Sequence, residues 1–293
     1  MKLHQLRSFQ AVCRYGGITK AAEHMYVSQP SVTLSLKELE SELGVNLFRR
    51  SPSKKLALTS EGEFFLKRVQ KILDDIDVLK DEMVDFGGKR NLIKLGMPIQ
   101  VGAFFLPLLM NNFQKRYPEI KLELIECDSS HIMEMLINEQ LDIAIAAADF
   151  DESVLELEVL YHTEICFCVH SNHPMAQMRS ISLSDAASVP LVLLSHYYYT
   201  SRRLSERMRL EGITPNVRLY TENLHTIKNL VNQSGLGTFL LRESVKYDAN
   251  IIPISLENPI VATVAMATKK GRHIYDDSKK MMRFIQEEYE ESK

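Results

Sequence analysis

Tryptophan is absent from the 293 residues, and cysteine is scarce, with thiols only at Cys13, Cys127, Cys166 and Cys168. Four cysteines cannot staple a chain of this length, and no Cys/His spacing suits zinc, so neither a disulfide framework nor a metal site is expected. Cys166 and Cys168 stand two apart, as on one face of a strand, and are poorly placed to bridge. No low-complexity tract or short-period repeat is visible. One stretch, 95–114, is uncharged over about the length of a membrane span. It carries Pro98, Gln100, Pro107, Asn111 and Asn112, and reads better as strand, turn and buried helix. Residues 1–9 are polar and mixed, without the pattern of a signal peptide, which points to a cytoplasmic protein. Gly-x-Ser-x-Gly, P-loop and metal-ligand spacings are missing too, so no catalytic residue, metal or resident cofactor is expected and the chain does not read as an enzyme.

The residues that are present describe a soluble globular protein, 45% apolar and 25% charged, long enough for two or three domains. The net charge of −3 conceals a split. Residues 1–58 hold nine Lys/Arg and four acids, a surplus of +5; the remainder holds 26 bases and 34 acids, or −8. A basic head on an acidic body suits a polyanionic partner for the head.

Three regimes follow one another, with expected boundaries of 1–58, 59–88 and 89–293. In the head, Leu3, Leu6, Phe9 and Val12 give a first helix ended by Gly16-Gly17. Thr19 can cap a short second helix over 20–25, in which Ala21 and Ala22 permit close packing. Tyr26-Val27 makes the turn, and Ser28 caps a third helix with Pro30 in its first turn. Val32, Leu36, Leu39 and Leu43 point that helix into the core. Its outward face then carries Pro30, Ser31, Thr33, Leu34 and Lys37, with Gln29 at the tip. Gln can bond adenine bidentately, Ser and Thr can bond either base pair, and Leu34 is placed to meet a thymine methyl. Arg49, Arg50, Lys54 and Lys55 lie in a turn before Leu56-Ala57-Leu58, which reads as a hairpin wing gripping phosphate.

The middle regime is one helix capped by Thr59, with Glu61 and Glu63 in its first turn. Phe65, Val69, Ile72, Ile76, Leu79, Met83 and Phe86 are spaced alternately by four and three, a heptad seam that predicts a dimer. From 91 onward strands at 92–97, 120–126 and 141–147 alternate with helices at 102–117 and 129–138, a parallel βαβαβ pattern. A second series follows: strands at 165–169, 190–194, 217–220 and 238–241, and helices after Ser184, near 201–210 and near 224–232. The chain returns through 260–268 to a last helix, 275–290. The expected fold is multidomain, an all-α winged helix-turn-helix head joined to an α/β, two-lobed body like a periplasmic binding protein. Ligands in such bodies sit at the carboxyl ends of strands, between the lobes.

From Phe9 to Gly62 the chain resembles the LysR-type transcriptional regulators. The residues that carry the likeness include Ile18-Thr19-Lys20-Ala21-Ala22, Val27-Ser28-Gln29-Pro30-Ser31-Val32-Thr33, Leu39-Glu40, Leu47-Phe48-Arg49-Arg50 and Leu58-Thr59-Ser60-Glu61-Gly62. Downstream, Leu106-Pro107, Tyr117-Pro118, residues 141–145, His173-Pro174 and Gly235-Leu236-Gly237 extend it over nearly the whole chain. The resemblance implies promoter DNA and a small-molecule effector as partners, self-association as a dimer or tetramer, and RNA polymerase as a candidate further partner. It also implies one lobe at about 89–162 with 268–293 and another at about 163–267. Many members carry a polar or basic residue where Leu34 stands. Family members grip a ligand carboxylate with Ser or Thr in the loop after the first strand. Here that loop holds Pro98, Ile99 and Gln100, of which only Gln100 is polar. Ser129 and Ser130 fall where the family places a ligand-binding Ser or Thr. Ser195, His196 and Thr200 follow one strand end and Asn223 another; Ser129, Thr200 and Asn223 would also serve as helix caps.

Three other classes weigh less. An enzyme lacks its motif, and a solute-binding protein does not explain the basic head. A cysteine-based redox sensor of the same fold would have to use Cys166 and Cys168.

Overall fold

The computed structural model describes residues 1–50 and 56–290. They form two compact units, Met1–Phe86 and the remainder from Gly87.

The first unit opens with α1 (Leu3–Tyr15), which buries Leu6, Phe9 and Val12 while Leu3 lies exposed at its start. Gly16 closes the helix in the left-handed conformation, at φ +72°. α2 (Ile18–His24) starts at once after the glycine pair, so Gly17 takes the cap position and Thr19 lies inside the first turn rather than capping it. Ala21 and Ala22 are buried against the neighbouring helices as their size suggests. α3 (Gln29–Leu43) is capped by the Ser28 hydroxyl, which accepts the Ser31 N–H. Val32, Leu36 and Leu39 enter the core, but Leu43 sits on the last turn before Gly44 and stays at the rim.

Two short strands, β1 (Phe48–Arg50) and β2 (Leu56–Leu58), pair antiparallel with Phe48 opposite Leu58. Glu40 on α3 fixes the entry to β1 by accepting the N–H groups of Leu47 and Phe48 at 2.7 and 3.1 Å. Thr59 caps α4 (Ser60–Phe86) by accepting the Gly62 N–H at 3.0 Å, and its hydroxyl donates to Asn46 O. α4 docks on the head through Phe65, Leu66, Val69 and Leu73; the Phe9 ring packs on Phe48 and Phe65 at 5.3 and 5.2 Å.

The second unit is built on β3 (Leu92–Met97), β4 (Lys121–Glu126) and β5 (Ile143–Ala147), with β3 parallel to both of its neighbours. α5 (Ile99–Leu108) follows β3 and contains Pro107; a π turn over Leu109–Phe113 then leads into α6 (Gln114–Arg116). The proline has no N–H for the ladder, and the wider turn follows directly. α7 (Ser129–Ile137) covers the other face of the sheet. Ile143, Ile145 and Ala147 point to one core and Ala144 and Ala146 to the other, the period of a doubly buried strand.

β6 (Leu155–His170) runs from this lobe into the second, three times the length of the expected 165–169 strand. Its first half, Leu-Glu-Leu-Glu-Val-Leu-Tyr-His-Thr-Glu, alternates apolar and polar residues with acids among them and hides a half-exposed strand. The chain then forms β7 (Ser180–Ile181), α8 (Leu183–Ser188), β8 (Leu191–Leu194), α9 (Tyr199–Leu210), β9 (Val217–Thr221), α10 (Leu224–Ser234) and β10 (Thr238–Leu241). β11 (Ile251–Leu256) is not foreshadowed by the sequence because Pro253 stands inside it, and β12 (Ile260–Lys269) and α11 (Asp276–Glu290) complete the body. One sheet runs β4-β3-β5-β12-β6-β11-β7, with β10 also on β6, while β8 and β9 form a separate parallel pair. β6 and β12 are antiparallel partners from Leu155–Lys269 to Ile165–Ile260, and their register slips between Val264 and Ala265.

A buried ionic cluster pins the start of this unit. Asp142 Oδ2 faces Arg90 and accepts the Lys94 N–H at 2.8 Å, while Oδ1 receives Arg272 at 3.1 Å. All three charged side chains are at most 5% exposed. The Arg90 guanidinium lies 3.6 Å above the centre of the Tyr275 ring.

Candidate DNA-reading face and interlobe cleft

Because α3 turns Val32, Leu36 and Leu39 inward, its opposite face is left to solvent. Gln29, Pro30, Thr33, Leu34 and Lys37 line one shallow groove there, and Ser31 is exposed beside them. Leu34 is 58% exposed, an apolar side chain with no part in the core. The Thr33 hydroxyl donates back to Gln29 O at 3.0 Å, which commits its hydrogen and leaves its oxygen to accept. Tyr26, in the turn before α3, is 95% exposed and held at φ +55°. An aromatic side chain in the left-handed region is strained, and such strain gathers at functional sites. Arg49 on β1 donates through Nε to Leu58 O at 3.2 Å across the strand pair. Arg50 ends that strand, and Lys54 and Lys55 lie outside the described residues.

The heptad seam divides in two. Phe65 and Val69 pack into the core of their own unit, because the first turns of α4 must also hold the head. From Ile72 onward the stripe is open: Ile76 is half-buried, while Ile72, Leu79, Met83 and Phe86 are exposed.

In the second unit the residues singled out from sequence separate. Pro98, Gln100, Ser129 and Thr200 meet at one narrow cleft with Val101, Ala147, Tyr198, Tyr199 and Leu241, which leaves only about 10 Å³ of free space. Gln100 is 3% exposed; its Nε2 donates to Thr200 Oγ1 at 2.7 Å and its Oε1 accepts the Leu241 N–H at 2.8 Å. Ser129 does not cap α7, since Asp128 accepts the Ser130 and His131 N–H groups. The Ser129 hydroxyl instead donates to Ala147 O at 2.8 Å. Thr200 likewise lies within α9 and caps nothing.

Ser130 belongs to a wider neighbouring pocket of about 480 Å³ with Met133, Glu134, Asp149 and Arg202. Arg202 donates to Ser130 Oγ at 2.8 Å and to Tyr197 O at 3.0 Å. The remaining candidates do not line either space. Asn223 is a cap, accepting the Thr226 N–H; His196 is exposed with its ring 5.1 Å from Tyr197; Ile99 packs in an apolar cluster; Ser195 is half-buried. Arg202 and Leu241 carry no such signal in the sequence. Arg202 sits in an Arg-Arg pair that reads as solvated surface, and the Leu241 contribution is a backbone N–H, which leaves no mark on sequence.

All four thiols are free. Burial pushes Cys13 and Cys127 up to about 11 and Cys168 up to about 12, and raises Cys166 further still. Thiolate is the reactive form, so this arrangement does not favour the cysteine-sensing alternative. In the native protein at neutral pH, Ellman's reagent should release less than about one thiol equivalent in the first minutes, and all four only on denaturation. A fast native phase of two equivalents would contradict the burial described. Among the described residues no group of His, Cys, Asp and Glu could hold a metal, and no helix is long and apolar enough to cross a membrane.

Comparison with known proteins agrees with this fold. Residues 3–63 match the family described as bacterial regulatory helix-turn-helix protein, lysR family, and residues 86–290 match the LysR substrate binding domain. The chain is 28% identical to the HTH-type transcriptional regulator CysB of Burkholderia cenocepacia, over 83% of this chain and 78% of that one. It is 30% identical to the HTH-type transcriptional regulator CzcR of Bacillus subtilis, over 83% and 81%. Full-length CbnR, solved in complex with its target DNA, superposes with a TM-score of 0.74 at 19% identity, covering 98% of this chain and 99% of that one. Two family models that together span nearly the whole chain, one over the helix-turn-helix and one over the two-lobed body, establish that it belongs to the LysR family of transcriptional regulators.

Proposed function

We propose that this regulator reads promoter DNA with the outward face of α3 and is controlled by a small molecule taken up between the lobes of its second unit. The observation that carries the reading is the groove of Gln29, Pro30, Thr33, Leu34 and Lys37, whose side chains the core does not use. Gln29, Ser31, Thr33 and Leu34 would meet base edges, and Lys37, Arg49, Arg50, Lys54 and Lys55 phosphate. Residues 1–58 then act as the DNA-binding domain, 59–88 as linker and dimerisation helix, and 89–293 as the effector domain. The dimer forms along Ile72, Ile76, Leu79, Met83 and Phe86. The protein works in the cytoplasm without a resident cofactor.

Footprinting and gel-shift titration test the assignment. Gln29→Ala should relax discrimination at one base position by about 1–3 kcal/mol while sparing non-specific binding. Lys54→Ala should weaken all duplexes alike and lower the salt slope by about one. If Gln29→Ala lowered affinity equally for every sequence, the face would be a phosphate contact and not a reader.

A further inference from the structure

We propose that Gln100 is a tethered ligand of its own cleft: its carboxamide fills the polar end of the site that an effector's head group would take, and clasps the two lobes together while the site lacks effector. The inference rests on reading this cleft as the effector site. Gln100 stands in the first turn of α5, directly after β3, yet both of its hydrogen bonds cross to the second lobe. One reaches Thr200 in α9, 100 residues on, and the other reaches the Leu241 N–H at the end of β10, 141 residues on. Each atom of the carboxamide has the partner it needs, since the nitrogen donates and the oxygen accepts.

The space left beside it, about 10 Å³, holds about one water and no metabolite. The rest of the wall is Pro98, Val101, Ala147, two tyrosines and Ser129, whose hydroxyl hydrogen is already given to Ala147 O, with no Lys, Arg, Asp or Glu. The pole is thus a neutral site offering one fixed N–H and one hydroxyl that can donate or accept. That chemistry admits a primary amide bound as Gln100 is, or a carboxylate that accepts from both the Leu241 N–H and the Thr200 O–H. A larger effector carrying such a group would have to displace Gln100, which couples its binding to release of the clasp.

Removing the carboxamide should expose the site to a free molecule of the same kind. Truncation of Gln100→Ala deletes a fragment the size of acetamide, so acetamide and acetate are the probes, read by thermal denaturation of the full chain without DNA. The variant is expected to melt below wild type. About 100 mM of either probe should raise its midpoint by roughly 2–4 °C while leaving wild type unmoved. Gln100→Glu, which keeps the size and can accept from both the Leu241 N–H and the Thr200 O–H, should also ignore the probes. Equal shifts in wild type and variant, or no shift in the variant, would overturn the proposal. If Gln100→Ala does not fold, Gln100→Ser supports the same titration, where a shift confined to the variant supports the clasp and its absence overturns it. Because these probes need no effector, their failure would leave the cleft open to a metabolite screen, while their success would not by itself name the effector.

Discussion

Asp142→Ala is expected to remove about 3–5 kcal/mol of stability from the effector unit, the usual cost of stripping one partner from a buried ion pair. The substitution would leave the Arg90 guanidinium almost wholly out of water with no carboxylate facing it, and Arg272, equally buried, with only the longer Glu139 contact at 3.9 Å. It would also orphan the Lys94 N–H, which Asp142 Oδ2 now accepts. Asn would restore the shape and one acceptor but not the charge, and should recover only part of the loss. For a unit of this size the midpoint should drop by about 10 °C or more, measurable by urea titration and thermal melting. The triple replacement Arg90→Met, Asp142→Leu, Arg272→Met supplies the discriminating comparison. It removes every buried charge at once and should be less damaging than Asp142→Ala alone. A single Asp142→Ala variant within about 1 kcal/mol of wild type would mean that water reaches the cluster.

Gly62→Ala should have nearly as large an effect on the head. A methyl group at that position would stand 2.1 Å from the Leu47 carbonyl oxygen, and 3.0 Å from both the Leu47 carbonyl carbon and a Leu58 methyl. The obstacle is backbone, and it is backbone already in use. Leu47 O accepts the Thr59 N–H at 3.0 Å and the Thr59 hydroxyl at 3.2 Å, and the Leu47 side chain is buried. Making room would move the entry to the wing away from Glu40. The expected cost is about 3 kcal/mol or more, accompanied by loss of DNA binding even though no DNA-facing residue has changed. Gly17→Ala is the control, since that glycine is extended and meets nothing within 4 Å; it should stay within about 0.5 kcal/mol of wild type.

What can be read from sequence follows how local the signal is. The caps at Ser28 and Thr59, the closures at Gly16 and Gly44, and the inward Val32, Leu36 and Leu39 depend on residues within one or two turns, so α1 to α4 are legible almost to their ends. β3 and β10 show their observed bounds in the sequence because short, largely apolar runs stand out between turn-forming residues. The first half of β6 and the proline-bearing β11 do not, because their pairing is settled by distant partners. The cleft shows the same division. Gln100 and Ser129 stand out as polar residues at strand ends, but that Gln100 turns across to Leu241 depends on tertiary distance alone. The heptad pattern overruns the open seam at its start, since spacing cannot say which apolar residues are needed at home.

The two strands that join the lobes, β6 and β12, constrain the kind of motion an effector can produce. Hydrogen-bonded side by side from Leu155–Lys269 to Ile165–Ile260, they behave as a ribbon rather than as two loose tethers. A paired ribbon resists sliding, because shear would break its whole ladder at once. It yields readily to flexing and twisting, most of all where the register slips at Val264 and Ala265. One lobe can therefore tilt against the other but not translate past it. On the proposed reading, a filled cleft would change the angle between the lobes, about an axis set by the register shift at Val264 and Ala265.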